Sequence, residues 1–98
     1  MSGVRYVRDP GVVTREIGGE TFLVPVRDRL ADLGELHMLN ETGAWVWARL
    51  DGAHDAADLA ASLAEEFDVG RDAALQDVER LFQTLLAARL IGPQEQRP

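Results

Sequence analysis

At Asn40 the apolar residues of this 98-residue chain change their spacing, and that change constrains the fold more than any other feature. Before it, runs alternate with a period of two. Val13, Arg15 and Ile17 share one side of Val12 to Ile17, and Phe22, Val24 and Val26 share one side of Thr21 to Val26. Gly18-Gly19 between the two runs supplies the positive φ of a tight hairpin. Pro25 has no N–H for a ladder, so it belongs at an edge, a bulge or a strand end. After a mixed segment, Arg27 to Glu35, the run Leu36-His37-Met38-Leu39 is too short for a helix and reads as a third strand.

Beyond Asn40 the period is helical. Asn40 itself is a good N-cap for a first helix through Ala44, Trp45, Val46, Trp47 and Leu50, stopping at Asp51-Gly52. Asp55, with Asp58 three residues on, resembles an N-cap and acidic first turn for a second helix carrying Leu59, Leu63 and Phe67 and ending near Asp68. Gly70 opens a third helix with Leu75, Val78, Phe82, Leu85 and Leu86 on one side, running to about Leu90 before Gly92-Pro93. Three strands followed by three helices give an α+β fold, winged helix-turn-helix-like, with a three-stranded antiparallel sheet. Residues 1–10 form a lead-in ordered only if it docks, 11–92 the domain, and 93–98 a polar tail. The apolar arc of the third helix spans roughly 160°, where packing on its own core needs about 100°. The flank with Ala74, Asp77, Leu81 and Ala88 is therefore either in contact with a partner or spread more broadly over the sheet.

Composition removes several function classes. With no Cys there is no disulfide framework, thiolate zinc site or cysteine nucleophile. A formal charge of -7, no Lys and dispersed Arg argue against binding to nucleic acid through its phosphates. No apolar run approaches the length of a membrane span and Met1 to Pro10 lacks a signal-peptide core, so no membrane partner and a cytoplasmic location are expected. That expectation and the helix-cap reading of Asn40 set aside the glycosylation sequon Asn40-Glu41-Thr42.

His37 and His54 lack metal-ligand spacing, neither Ser2 nor Ser62 sits in a nucleophile elbow, and no phosphate-binding glycine loop occurs. The expectation is a non-enzymatic chain without metal or cofactor. Trp45 and Trp47 are about 200° apart on a helix, so they cannot share one core surface. One is expected in the core and the other half-exposed against the sheet, in preference to a binding surface.

The string Leu36-His37-Met38-Leu39-Asn40-Glu41-Thr42-Gly43-Ala44-Trp45-Val46-Trp47, followed by Leu50-Asp51-Gly52, resembles the PqqD-like family. Ile17-Gly18-Gly19-Glu20, Leu23-Val24-Pro25-Val26, Phe67-Asp68-Val69, Asp77-Val78 and Leu90-Ile91 agree in order, so the resemblance covers about residues 10 to 92. It implies a free-standing recognition element for ribosomally made, post-translationally modified peptides. In such domains the leader region of a precursor peptide adds as a strand to the third strand and packs on the third helix. Here that edge would be Leu36, His37, Met38 and Leu39, and the helix wall would include Ala74, Asp77, Val78 and Leu81. The implied partners are the precursor peptide and a modifying enzyme, such as a radical SAM maturase or a leader protease. The competing readings are a structural subunit of a maturation enzyme and, behind it, a winged-helix DNA binder.

Overall fold

The computed structural model describes residues 3–27, 30–31 and 36–94. The expected hairpin is present as β2 (Val12–Ile17) and β3 (Glu20–Arg27), paired from Val12↔Pro25 to Ile17↔Glu20. Gly18 and Gly19 turn it with φ of 60° and 83°, a conformation that favours glycine at both central positions. On the other side of β3 lie a two-residue strand β4 (Leu30–Ala31) and β5 (His37–Leu39), the expected third strand. β5 pairs Thr21 to Leu23 of β3 and β4 pairs Val26 and Arg27, so Pro25 falls in the gap between them. Its missing N–H thus removes no ladder bond among the described residues.

Three helices follow: α1 (Glu41–Trp47), α2 (Ala56–Phe67) and α3 (Arg71–Ala87). Asn40 caps α1 as expected, accepting from Gly43 N–H at 2.8 Å. The helix ends at Trp47 rather than Leu50, because Arg49 and Leu50 bond back three residues, to Val46 and Trp47. That tightened turn drops Leu50 into the core. α2 ends at Asp68 and α3 at Ala88 followed by Arg89, and both Asp68 and Arg89 take left-handed φ, 53° and 62°. In each case the next residue reaches back five positions, Val69 to Ala64 and Leu90 to Leu85, closing the helix with orphan carbonyls satisfied. The third helix therefore stops short of Leu90.

A second small sheet was not legible in the pattern. The lead-in docks as β1 (Arg5–Arg8), central between β6 (Asp51–Asp55) and β7 (Ile91–Pro93). Tyr6 of β1 meets Phe82 of α3 edge to face, with centroids 4.9 Å apart. Arg8 Nη1 reaches the carbonyls of Trp47 and Ala48 at 3.5 and 3.4 Å, placing a cation at the C-terminus of α1, whose last turn has none.

One core joins the parts: Leu23 and Leu39 from the first sheet, Val46, Trp47 and Leu50, then Leu59, Leu63, Val78, Phe82 and Leu85 from α2 and α3. Trp47 is the buried member of the tryptophan pair. Trp45 is half-buried, but against α2 rather than the sheet, since its ring packs edge-on to Phe67 at 6.2 Å with Arg49 stacked 3.8 Å above it. An expected position on the sheet is thus corrected: Trp45 projects from α1 on the side where α2 ends.

Asp55 and Asp58 form a reciprocal capping box at the start of α2, with Asp58 N–H donating to Asp55 at 2.9 Å and Asp55 N–H to Asp58 at 3.2 Å. The Asp58 N–H holds the Asp55 carboxyl below its ordinary pKa; slight burial opposes this, and the Gly3 N–H, the Asp58 side chain and the Arg5 charge add to it. A depressed folded-state pKa contributes stability above the unfolded value, about 3.9, and loses it as pH falls through the folded one. Asp55→Ala should cost about 1 kcal/mol at neutral pH. In urea titrations that deficit should narrow at pH 3; a deficit unchanged with pH would show that the charge of Asp55 contributes nothing.

Candidate functional site

Main-chain N–H and C=O groups alternate sides along a strand, and this fixes what β5 offers. Val26 N–H donates to the Gly11 carbonyl at 2.7 Å, so even-numbered residues of β3 address β2 and odd-numbered ones address β5. The register Thr21↔Leu39, Phe22↔Met38, Leu23↔His37 makes His37 and Leu39 the residues bonded to β3. The N–H and C=O of Met38 point away from the sheet, along an edge that carries no strand among the described residues.

Side chains alternate with the same period. Leu39 is buried in the core, His37 is half-buried on that inner side, and Met38 lies on the outer face, 61% exposed, beside Phe22. Leu36, just before β5, is exposed on that outer face, which also carries Val13, Ile17 and Val24 around a shallow depression of about 620 Å³. The edge strand thus separates an apolar outer sheet face from the core.

Where β5 passes into α1, a groove of about 250 Å³ opens between the first turns of α1 and the middle of α3. Its floor is Gly43, Val46, Leu63 and Val78, all buried, and its rim is Asn40, Thr42, Asp77, Arg80, Leu81 and Thr84. Gly43 keeps this floor open and the cap close: a Cβ there would stand 3.0 Å from Asn40 Oδ1. Asp77 and Arg80 approach at 3.9 Å with both side chains largely exposed, so the pair contributes little to stability and is free to exchange partners.

Of the helix-wall residues expected from the sequence, Asp77, Val78 and Leu81 line this groove. Ala74 does not: it is fully buried and serves the core. Leu81 and Ala88 are half-buried against the core, so part of the wide apolar arc of α3 is accounted for by internal packing. Sequence reasoning missed Thr42, Gly43, Val46 and Leu63 as groove residues. A glycine inside a short apolar helix was the available signal, because that placement costs stability unless a close approach requires it.

Among the described residues, no group of three or more His, Cys, Asp or Glu is placed to hold a metal ion, and no helix is long and apolar enough to cross a membrane.

The family model described as coenzyme PQQ synthesis protein D (PqqD) matches residues 20–91. The chain belongs to the PqqD family. The matched segment of this PqqD-family chain runs from the first residue of β3 through the start of β7, and so contains β5, α1 and α3. Two solved structures share the fold. One is a lasso peptide synthetase B1 complexed with the leader peptide, 27% identical, with TM-score 0.74 over 91% of this chain and 99% of that one. The other is TbiB1 in complex with the TbiA(beta) leader peptide, 18% identical, with TM-score 0.72 over 92% and 99%. No curated protein sequence matches the chain.

Proposed function

We propose that this PqqD-family chain is a non-catalytic chaperone for the leader region of a ribosomally made precursor peptide, which it captures by strand addition and delivers to a modifying enzyme. The observation that carries the proposal is the open edge of β5, with the Met38 N–H and C=O directed outward and the groove between α1 and α3 at its end. A peptide strand hydrogen-bonded to that edge gains register from main-chain bonds and selectivity from side chains entering the groove. Two structural relatives are complexes with leader peptides, which supports the same reading. The first of them is a lasso peptide synthetase component, which favours lasso-type maturation over a radical SAM enzyme as the machinery served. Holding the leader raises the local concentration of the core peptide at the enzyme, so a domain without catalysis governs turnover.

The outer sheet face, with Ile17 65% and Met38 61% exposed, favours a second reading in which the chain is chiefly a subunit of a maturation enzyme. DNA binding is disfavoured, because α2 carries no base and α3 sets Arg71 and Arg80 against Asp72, Asp77 and Glu79. Fluorescence polarisation with labelled leader peptides from short reading frames beside the gene separates the readings. Saturable binding to the purified chain by one leader, with modest salt dependence, is expected. If folded protein ignores every leader yet retains a maturation enzyme in a pull-down, the subunit reading replaces this one.

A further inference from the structure

Capping α1 engages one half of the Asn40 carboxamide. Capping uses only its carboxamide oxygen, which accepts from Gly43 N–H at 2.8 Å and from the Thr42 hydroxyl at 3.1 Å. Because a backbone N–H must meet an acceptor, the bond from Gly43 fixes which end of the planar carboxamide faces the helix. The two N–H groups on Nδ2 face the other way, and no acceptor among the described residues engages them. Aspartate or serine would cap α1 as well as asparagine does. The donor is what asparagine adds.

Its position gives that donor a use. Asn40 follows β5 with an extended backbone, φ -75° and ψ -179°. Continuing the alternation from Met38, its main-chain N–H also points to the open edge, while its carbonyl is taken by Ala44 N–H at 2.9 Å. The edge therefore ends in a residue whose carbonyl is turned into the first helical bond while its main-chain N–H is directed outward. Asn40 also lies on the rim shared by the groove between α1 and α3 and a second depression, of about 430 Å³, beside Met38 and Leu39. A peptide running along β5 into the groove must pass it.

We propose that the Asn40 Nδ2 group, acting with its main-chain N–H, is the register-fixing donor of the site and bonds a main-chain carbonyl of the captured peptide where the strand ladder gives way to α1. This rests on the peptide-capture reading above. The donor belongs to the side chain and the strand edge; the free N–H groups of α1 take no part.

The test compares wild type, Asn40→Asp and Asn40→Ser by thermal melting and by polarisation of labelled synthetic leader peptides encoded beside the gene. Aspartate keeps the cap and the shape but has no N–H, and serine keeps the cap without charge and without reach. Unchanged melting midpoints with affinity about tenfold weaker in both variants are expected, the scale of one lost hydrogen bond. Wild-type affinity in either variant overturns the assignment: in serine alone it would mean that aspartate merely repels the peptide. A lowered midpoint in both variants would also overturn it, by showing that the carboxamide nitrogen serves the fold. A wild-type protein that binds none of the leaders would instead overturn peptide capture itself, and this inference with it.

Discussion

Met38→Pro should leave the domain folded and weaken peptide capture by about ten- to a hundredfold. Proline at this position removes one main-chain N–H and changes nothing that β3 needs, because the bonds to β3 belong to His37 and Leu39. What it removes is the donor at the centre of the three-residue edge. An incoming strand loses one hydrogen bond, worth about 0.5–1.5 kcal/mol net, and its own carbonyl is left desolvated opposite the proline ring, at about 1–3 kcal/mol. The desolvation cost already contains the lost bond, so the figure of about 1–3 kcal/mol governs, and at about 1.4 kcal/mol per tenfold it brackets the expected range. The side chain contributes little to the argument, since Met38 projects onto the outer face and is 61% exposed. Met38→Ala is accordingly the control, with affinity close to wild type if the main chain carries the contact. His37→Pro is the opposite control, expected to lower stability because it takes a bond from the β3–β5 ladder. Circular dichroism and polarisation titrations on the three variants decide the matter. A folded Met38→Pro protein with wild-type affinity would mean that the peptide does not use this edge.

The part of this site that was legible in the sequence is the part set by local chemistry. The change of period at Asn40 gives both the third strand and the helix cap, and Asp55 with Asp58 announces the start of α2, because each signal lies within a few residues of the element it specifies. The groove was only half legible. Asp77, Val78 and Leu81 follow from the face of α3, but the opposing wall of Thr42, Gly43 and Val46 depends on how α1 sits on α3, which periodicity does not encode. The second sheet was not legible at all. Arg5-Tyr6-Val7-Arg8 has two interior apolar residues and no hairpin partner; its neighbours β6 and β7 lie more than forty and eighty residues away in the chain. Ala74 lies outside the groove for a related reason: on a helical wheel it stands beside Asp77 and Leu81, yet the packing of α3 buries it completely.

Trp47→Ala should be the most destabilising single change discussed, at about 3–5 kcal/mol, because it empties a large volume where α1 meets the sheet. The residue is 3% exposed, and its indole N–H donates to the Thr14 hydroxyl at 3.0 Å, tying α1 to β2. Domains of this size are stable by only about 5–15 kcal/mol, and at about 4–8 °C per kcal/mol the variant should melt at least about 12 °C below wild type. Trp47→Phe separates the two contributions, since it retains most of the apolar volume and gives up the hydrogen bond; a cost of about 1–2 kcal/mol is expected. Thr14→Val and Trp45→Ala should each cost less than Trp47→Ala by a wide margin, as Thr14 is exposed and Trp45 is half-buried on Phe67. The consequence for function follows from connectivity. β2 pairs with β3 and β3 with β5, so the bond from Trp47 to Thr14 holds the sheet whose free edge is the proposed peptide site against the helix that begins its groove. Urea titrations measure the stabilities. If Trp47→Ala and Trp45→Ala proved equally costly, the indole of Trp47 would not be the anchor between helix and sheet that its burial and hydrogen bond indicate.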